Sequence, residues 1–213
     1  MSTAVPTYDR GMTEQRTPYE FIESGGYIEG HRIEDVDFST MVEPGLRILD
    51  TQFIQCDFTG TDFSNGHLSK VSFDTVNAPQ LQLHDSGLQD IDITHSRLGG
   101  IQAYATNWQR ARITESKIEF LNLRDSKLTR MQFENCAITE LDLTGATLKN
   151  VVFKNCTIGK LIMTRANCTQ VDLRGADLGS VTDFAGLKGT TMSLPQFIDL
   201  APDFAAILGV HLK

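Results

Sequence analysis

The sequence predicts an all-β fold, a coil of short parallel strands with four sides, and three observations predict it. The first is a register of five. Of the 31 positions numbered 28, 33, 38 and so on to 178, 27 hold Ile, Leu, Phe, Met or Trp, the exceptions being Glu43, Ala78, Ala103 and Cys168. No regular element can use that period: five residues turn a helix to a point roughly 140° from the start, and they carry a strand position to the opposite face. The chain therefore turns a corner every five residues and repeats as a solenoid. The second observation is an alternation of ten in the residue two before each apolar slot. It is mostly large in one set (Val71, Ile91, Met131, Val151) and mostly small in the other (Ser86, Ser96, Ser126, Ala146). Opposite sides of a four-sided coil match under that alternation, whereas a three-sided coil would scramble it. The third is polarity: the remaining three residues of each unit are overwhelmingly polar, so two side chains point in and three point out.

Taken in order, residues 1–20 hold no apolar h-region and read as a mobile tail without a signal peptide. Residues 21–180 form one continuous repeat region, which leaves no room for a second domain. Two places depart from the pattern. Glu43-Pro44-Gly45 puts a charge in a slot beside two turn formers and predicts a bulge or small loop. Ala78-Pro79 underfills another slot, and Pro79 has no N–H for a ladder. Cys56, Cys136, Cys156 and Cys168 all fall at inward positions without a CxxC pair. Residues 20 apart stack at about 4.8 Å, which puts Cys136 under Cys156. That spacing is compatible with a disulfide, while a reducing compartment favours free, buried thiols.

After Leu178 the register ends, and residues 181–213 read as a helical cap. Ser193-Leu194-Pro195-Gln196 is a capping box with proline in the first turn. Phe197, Leu200, Phe204 and Leu208 follow at helical spacing, with a kink or restart at Ala201-Pro202 and a C-cap at Gly209. Val210-His211-Leu212 is expected to add a short strand.

The units Ala146-Thr147-Leu148-Lys149-Asn150, Val171-Asp172-Leu173-Arg174-Gly175 and Ala176-Asp177-Leu178-Gly179-Ser180 resemble the A(D/N)LXX consensus of the pentapeptide-repeat proteins, over roughly three quarters of the chain. The resemblance implies a right-handed quadrilateral parallel β-helix of seven or eight coils with a C-terminal α-helical cap. The stretch from Met192 to Leu212 resembles, in pattern more than identity, the C-terminal segment of the bacterial fluoroquinolone-resistance branch of that family. That likeness implies a homodimer whose interface holds Phe197, Leu200, Phe204 and Leu208.

For function, the charge balance of -8 and the pI near 5.1 predict a cytoplasmic protein with no general attraction to nucleic acid or to membranes. There is no P-loop, dinucleotide fingerprint or nucleophile elbow. His31, His67, His84, His95 and His211 fall on different sides or ends, read as solvated surface residues, and offer no metal ligand set. No catalytic residue, cofactor or metal is expected, and a tube filled with side chains lacks the concavity an enzyme needs. What is left is the outside. Three sides carry a small acidic excess, while the fourth carries Arg47, Lys70, Arg110, Lys127, Arg130 and Lys149 against Asp50 and Asp90. Two readings of that side stand together: a surface for an anionic partner around Arg110 and Arg130, and a solvated face neutralised by pairs such as Asp90 with Arg110. Tyr104 and Phe120 point outward as isolated apolar groups and are candidate anchors. The expected function is a rigid, non-enzymatic protein-protein interaction module. The family resemblance adds an alternative, imitation of DNA toward DNA gyrase or another type II topoisomerase with resistance to its poisons.

Overall fold

The computed structural model describes residues 17–207 and 209–211. From Tyr27 to Ile162 the strands pair in parallel with the chain 20 residues on. Ile28 lies against Ile48, Ile48 against Leu68, Leu68 against Leu88, and the row continues through Trp108, Leu128 and Leu148 to Cys168. A second row runs Ile33, Phe53, Phe73, Ile93, Ile113, Phe133, Phe153. An offset of 20 made of units of five is a coil of four sides, and about eight coils stack. The strands fall into an 11-stranded and an 8-stranded sheet, each folded around the tube.

The corners explain how five residues can turn. Strands such as His67–Asp74, Asn107–Thr114 and Lys127–Glu134 run across two sides. Each bends at a left-handed residue, Lys70 (φ 55°), Arg110 (φ 56°) or Arg130 (φ 56°). Aspartate and asparagine, which tolerate that conformation best after glycine, fill many of the equivalent corners, among them Asp85, Asp125, Asn135 and Asn150. One corner behaves differently. Thr40 and Gly60 are left-handed there, but among the described residues 80, 100, 120, 140 and 160 are not. Asn77–Gln82, Arg97–Gln102, Lys117–Asn122 and Ala137–Asp142 accordingly run through it as flatter strands.

The interior is filled. Slot residues from Ile28 to Leu173 are buried with few exceptions, and Trp108, Phe53, Phe58, Phe63, Phe133 and Phe153 are fully enclosed. The small inward set does more than make room. Ser86, Ser96, Ser116 and Ser126 accept hydrogen bonds from the backbone N–H groups of Gly66, Val76, Ser96 and Thr106 at 2.9–3.1 Å. Ser96 and Ser116 donate in turn to the carbonyls of Thr94 and Thr114. Buried corner amides are thereby satisfied. Cys136 and Cys156 occupy the same positions as free buried thiols that donate to carbonyl groups. The hydrogen bond with Cys156, then burial, push the Cys136 thiol up, and burial pushes Cys168 up to about 11.

Of the two expected irregularities, one is absorbed and the other marks the ladder and the core. At Glu43-Pro44-Gly45 no bulge forms: the N–H of Glu43 donates to Asp62 and that of Gly45 to Ser64 at 2.9 and 2.7 Å, matching Asp50 on Ser69. Gly45 (φ 83°) simply serves as a corner and leaves Glu43 half-buried. Pro79 lies inside a paired strand but cannot make the rung that Gly179, five coils on, makes to the carbonyl of Ile158 at 2.8 Å. Toward the preceding coil Asn77 pairs with Asp57 and Leu81 with Thr61, and the rung between Ala78 and Phe58 is missing. Ala78 does leave a void of about 20 Å³, walled by Phe58, Leu98, Trp108 and neighbouring apolar side chains.

The ends differ somewhat from the sequence boundaries. Residues 1–16 of the expected tail lie outside the described residues, while Pro18–Phe21 already forms a 3-10 turn, closed by a capping box from Thr17 to Glu20, with Phe21 buried. At the other end the ladder continues beyond residue 180, through Val181–Thr182 on Leu161 and Ile162 and through Thr190–Thr191 on Val171 and Asp172. Two short helices follow, α1 (Leu194–Asp199) and α2 (Ala201–Ile207), capped at Ser193 and restarted at Ala201-Pro202 as the sequence predicts. Gly209 takes the left-handed conformation (φ 69°) of a C-cap. Val210 and His211 are not in a strand, and Leu212 lies outside the described residues.

Candidate interaction surfaces

Ion pairs on the outside follow the coil geometry. Arg110 grips Asp90 with two hydrogen bonds of 2.5 and 2.8 Å, Arg112 reaches Asp92 at 2.8 Å, and Lys160 reaches Glu140 at 3.3 Å. Each pair joins residues 20 apart, because one coil lifts a side chain directly over its predecessor. Asp90 holds the Arg110 guanidinium above its usual range, and Arg110 holds the Asp90 carboxyl below. Arg110 is thus neutralised within the chain, as the solvated-face reading of the basic side expects. Arg130, one coil on, is exposed and makes no ion pair among the described residues.

The two aromatic anchors part company as well. Tyr104 is not isolated: it stacks on His84 with ring centroids 4.8 Å apart and planes within 4°. Phe120 is half-buried on the flatter side, opposite Gly100 on one coil and Glu140 on the next. His95, expected to be merely solvated, bridges two carboxylates: Nδ1 lies 3.0 Å from Asp74 and Nε2 2.7 Å from Glu115. No group of three or more His, Cys, Asp or Glu side chains that could hold a metal ion occurs among the described residues.

The cap sorts its apolar residues in a way helical spacing alone does not reveal. Leu200 is 2% exposed and belongs to the core, not to an outer face. Phe204 is half-buried, stacked on Phe184 at 3.9 Å and tilted against Phe197 at 4.9 Å. Phe197 is 51% exposed, and beside it the sequence reading missed Leu194, Ile198, Ile207 and Val210, all of them exposed. Leu208 lies outside the described residues. Splitting the helix at Ala201-Pro202 puts Phe204 on a second helix, so it no longer continues the line of Phe197 and Leu200. Gln196 ties the cap down. Its Oε1 accepts from the N–H of Ser193, and its Nε2 donates to the carbonyls of Leu173 and Ala176 at 2.6 Å each.

Two concavities mark the outer wall. One is an open, polar groove of about 430 Å³ crossing four coils past Arg32, Asp50, Lys70 and Asp90. A second, about 200 Å³, lies on the flatter side between Pro79, Arg97, Gly99 and Lys117. No helix among the described residues is long and apolar enough to cross a membrane.

Comparison with known proteins places this architecture. Among solved structures, a trypsin-treated form of QnrB1, a plasmid-mediated fluoroquinolone resistance protein, superposes with a TM-score of 0.59 at 22% identity, covering 88% of this chain and 90% of that one. HetL, a pentapeptide repeat protein involved in heterocyst differentiation regulation from the cyanobacterium Nostoc, matches over 77% of this chain and 90% of its own at 16% identity, with a TM-score of 0.36. None of the curated proteins matches the sequence. The pentapeptide repeat region family matches residues 46–123 and the pentapeptide repeats family, of eight copies, matches 119–155. Together they span just over half of the sequence, and the chain belongs to the pentapeptide-repeat proteins.

Proposed function

We propose that the chain is a non-enzymatic, rigid protein-protein interaction module that acts in the cytoplasm as a homodimer joined through its C-terminal cap. The observation that carries this reading is the filled interior: the tube holds side chains along its whole described length and leaves a void of only about 20 Å³. Recognition then rests on outward residues, held at fixed positions by the ladder. A net charge of -8 disfavours direct binding of nucleic acid. The exposed apolar residues of the cap, Leu194, Phe197, Ile198, Ile207 and Val210, supply the surface for a second copy. Affinity capture with the full chain, followed by titration of the purified captured protein, tests the module; a chain that binds no protein saturably would sink it.

A second reading comes from the printed role of QnrB1 and from the overall acidity of the chain: it binds a type II topoisomerase, in place of DNA, and confers resistance to its poisons. A gyrase supercoiling assay with and without a quinolone decides it. Neither protection nor inhibition at micromolar protein removes that reading and leaves the first intact.

A further inference from the structure

We propose that the notch at Arg97 and Lys117 is a docking site for a glutamate side chain on an extended segment of a protein partner. This deepens the interaction-module reading and rests on it. Arg97 and Lys117 are exposed, in direct register on neighbouring strands, and form no ion pair with any described residue. Like charges facing each other across a ladder destabilise the fold. Arg110, Arg112 and Lys160 each have a carboxylate 20 residues before them. At this place the column runs Asp57, Asn77, Arg97, Lys117 instead. Asp57, the nearest acid of that column, is held by Asn77 at 3.0 Å.

The ground beside the two cations is shaped to receive a side chain. The notch of about 200 Å³ is bounded by Pro79, Gly99, Arg97, Lys117, Glu119 and Asn77. Gly99 lies close on the backbone of Pro79, where a Cβ would meet the Pro79 Cα at 2.7 Å, so no side chain can stand over the notch at this position. The flatter corner keeps Gly99 and Gly100 in one extended run, and Phe120 stands opposite Gly100. A proline ring and bare backbone accept a methylene stem, and two cations hold the carboxylate at its end. Glu119 at the rim offsets one of the two cations and leaves an excess of positive charge. The backbone of this side is already paired above and below, so a partner strand cannot add to the sheet, and side-chain insertion is the mode left. A protein carboxylate is favoured over a nucleic-acid phosphate by the net charge of -8, which repels a polyanion while a single carboxylate responds to its local surroundings.

The test uses the full chain and extended heptapeptides in which threonine and valine flank a central glutamate, glutamine or lysine, titrated at millimolar concentration at low salt and followed by NMR. Glutamate peptides are expected to bind about two- to fivefold more tightly than glutamine peptides, as an exposed charge pair allows. That preference should vanish in the Arg97→Gln/Lys117→Gln double variant and persist in Arg130→Gln, which removes an unpaired cation from another side. In addition, Arg97→Gln alone should raise the melting temperature at low salt, since it relieves the facing charges, which an ordinary structural role would not do. Equal binding of glutamate and glutamine peptides by the wild type, or an equal loss in Arg130→Gln, overturns the proposal. So does tighter binding of a single-stranded oligonucleotide than of the glutamate peptide. If a captured protein partner binds the wild type and the double variant alike, this notch falls while the interaction module stands; if no protein binds at all, both fall.

Discussion

Phe133 and Phe153 stack with ring centroids 4.8 Å apart and planes within 2° of parallel. They occupy the same slot on consecutive coils, and their separation equals the spacing of the paired strands. The side-chain stack thus repeats the backbone ladder, and each ring is both wall and floor for its neighbours. Phe133→Ala should cost about 3–5 kcal/mol, because the rigid ladder cannot collapse into the space left. Urea unfolding of the variant measures it; a loss under about 1 kcal/mol would mean that the coil relaxes around the gap, contrary to a close-packed interior.

Ala78 and its void of about 20 Å³ allow the opposite experiment. Ala78→Val adds a small branched side chain that suits a strand and should raise stability by about 0.5–1 kcal/mol. Ala78→Phe overfills the same space and should lower it by about 1–3 kcal/mol. If both substitutions destabilise equally, the void is already filled by motion of Phe58 or Trp108.

Much of this was legible in the sequence because a five-residue corner imposes one inward slot per side, and Ile, Leu and Phe fill it from Ile28 to Leu178. The four-sided stacking followed from the alternation of Val71, Ile91 and Met131 with Ser86, Ser96 and Ser126. What Ser96 and Ser116 do for buried amides was not legible, because their partners lie 20 residues away and become neighbours only once the coil closes. The corners carried a signal that slot counting passes over, the Asp, Asn and Gly residues at the last position of many units. Glu43 misled because the period marks a charged slot as a break, whereas Gly45 keeps the corner and the ladder holds. On the surface, Arg110 was legible as a partner of Asp90 from the spacing alone. Tyr104 over His84 and Glu115 over His95 have the same spacing of 20 and were passed over, whereas the reach of His95 to Asp74, 21 residues away, depends on a rotamer that spacing does not give. In the cap, Phe197 and Leu200 sit on one predicted stripe before the break at Pro202, yet only Leu200 is covered by the core, because spacing marks a stripe and not which part of it meets the last coil.

His95 gives the stability a defined pH dependence. The hydrogen bond that the imidazole donates to Asp74, aided by the charge of Glu115, raises the imidazole pKa above its usual value, while the same hydrogen bond lowers the Asp74 carboxyl. A raised folded-state pKa means that the His95 contribution is complete below the ordinary histidine value and fades as pH rises through the folded one. A lowered carboxyl pKa means that the Asp74 contribution is present above the ordinary value and fades as pH falls through the folded one. The bridge is therefore strongest between about 4 and about 6.5, the two ordinary values. All three groups are well exposed, so the effect is small and falls with salt. His95→Asn keeps a residue that tolerates φ 51° but removes the titration. The melting-temperature gap between wild type and variant should shrink steadily as pH rises above neutrality in low salt; a gap independent of pH would show that His95 is held by packing alone.

Gln196 couples the cap to the last coil, and its removal should loosen one without melting the other. The carbonyl of Ala176 has no following coil to donate to it, and Nε2 of Gln196 stands in at 2.6 Å. Gln196→Ala also removes the acceptor for the N–H of Ser193 at the start of α1. The variant should lose about 1–3 kcal/mol of cap docking. In hydrogen exchange, the amides of Leu200 and Phe204 should lose protection while those of Ile113 and Phe133 keep theirs. Loss of protection throughout would mean that the cap and the coils unfold as one unit, and no loss that Leu200 alone anchors the cap.

Phe197 and Ile198 discriminate between a cap that only closes the tube and one that also joins two chains. Both lie on α1, 51% and 59% exposed, next to Leu194 at 71%, whereas Leu200 is turned into the core. An apolar surface of that composition is costly to leave in water and is commonly covered in solution. Phe197→Glu with Ile198→Glu should halve the mass seen by light scattering after size exclusion, while the melting temperature of the coils stays near that of the wild type. Leu200→Ala serves as the contrast: it acts on the packing under the helix and should cost about 2–5 kcal/mol of cap stability, with any change in mass following only from that loss. A wild-type chain that already elutes as a monomer at high concentration would assign all five exposed residues to the closure of one tube.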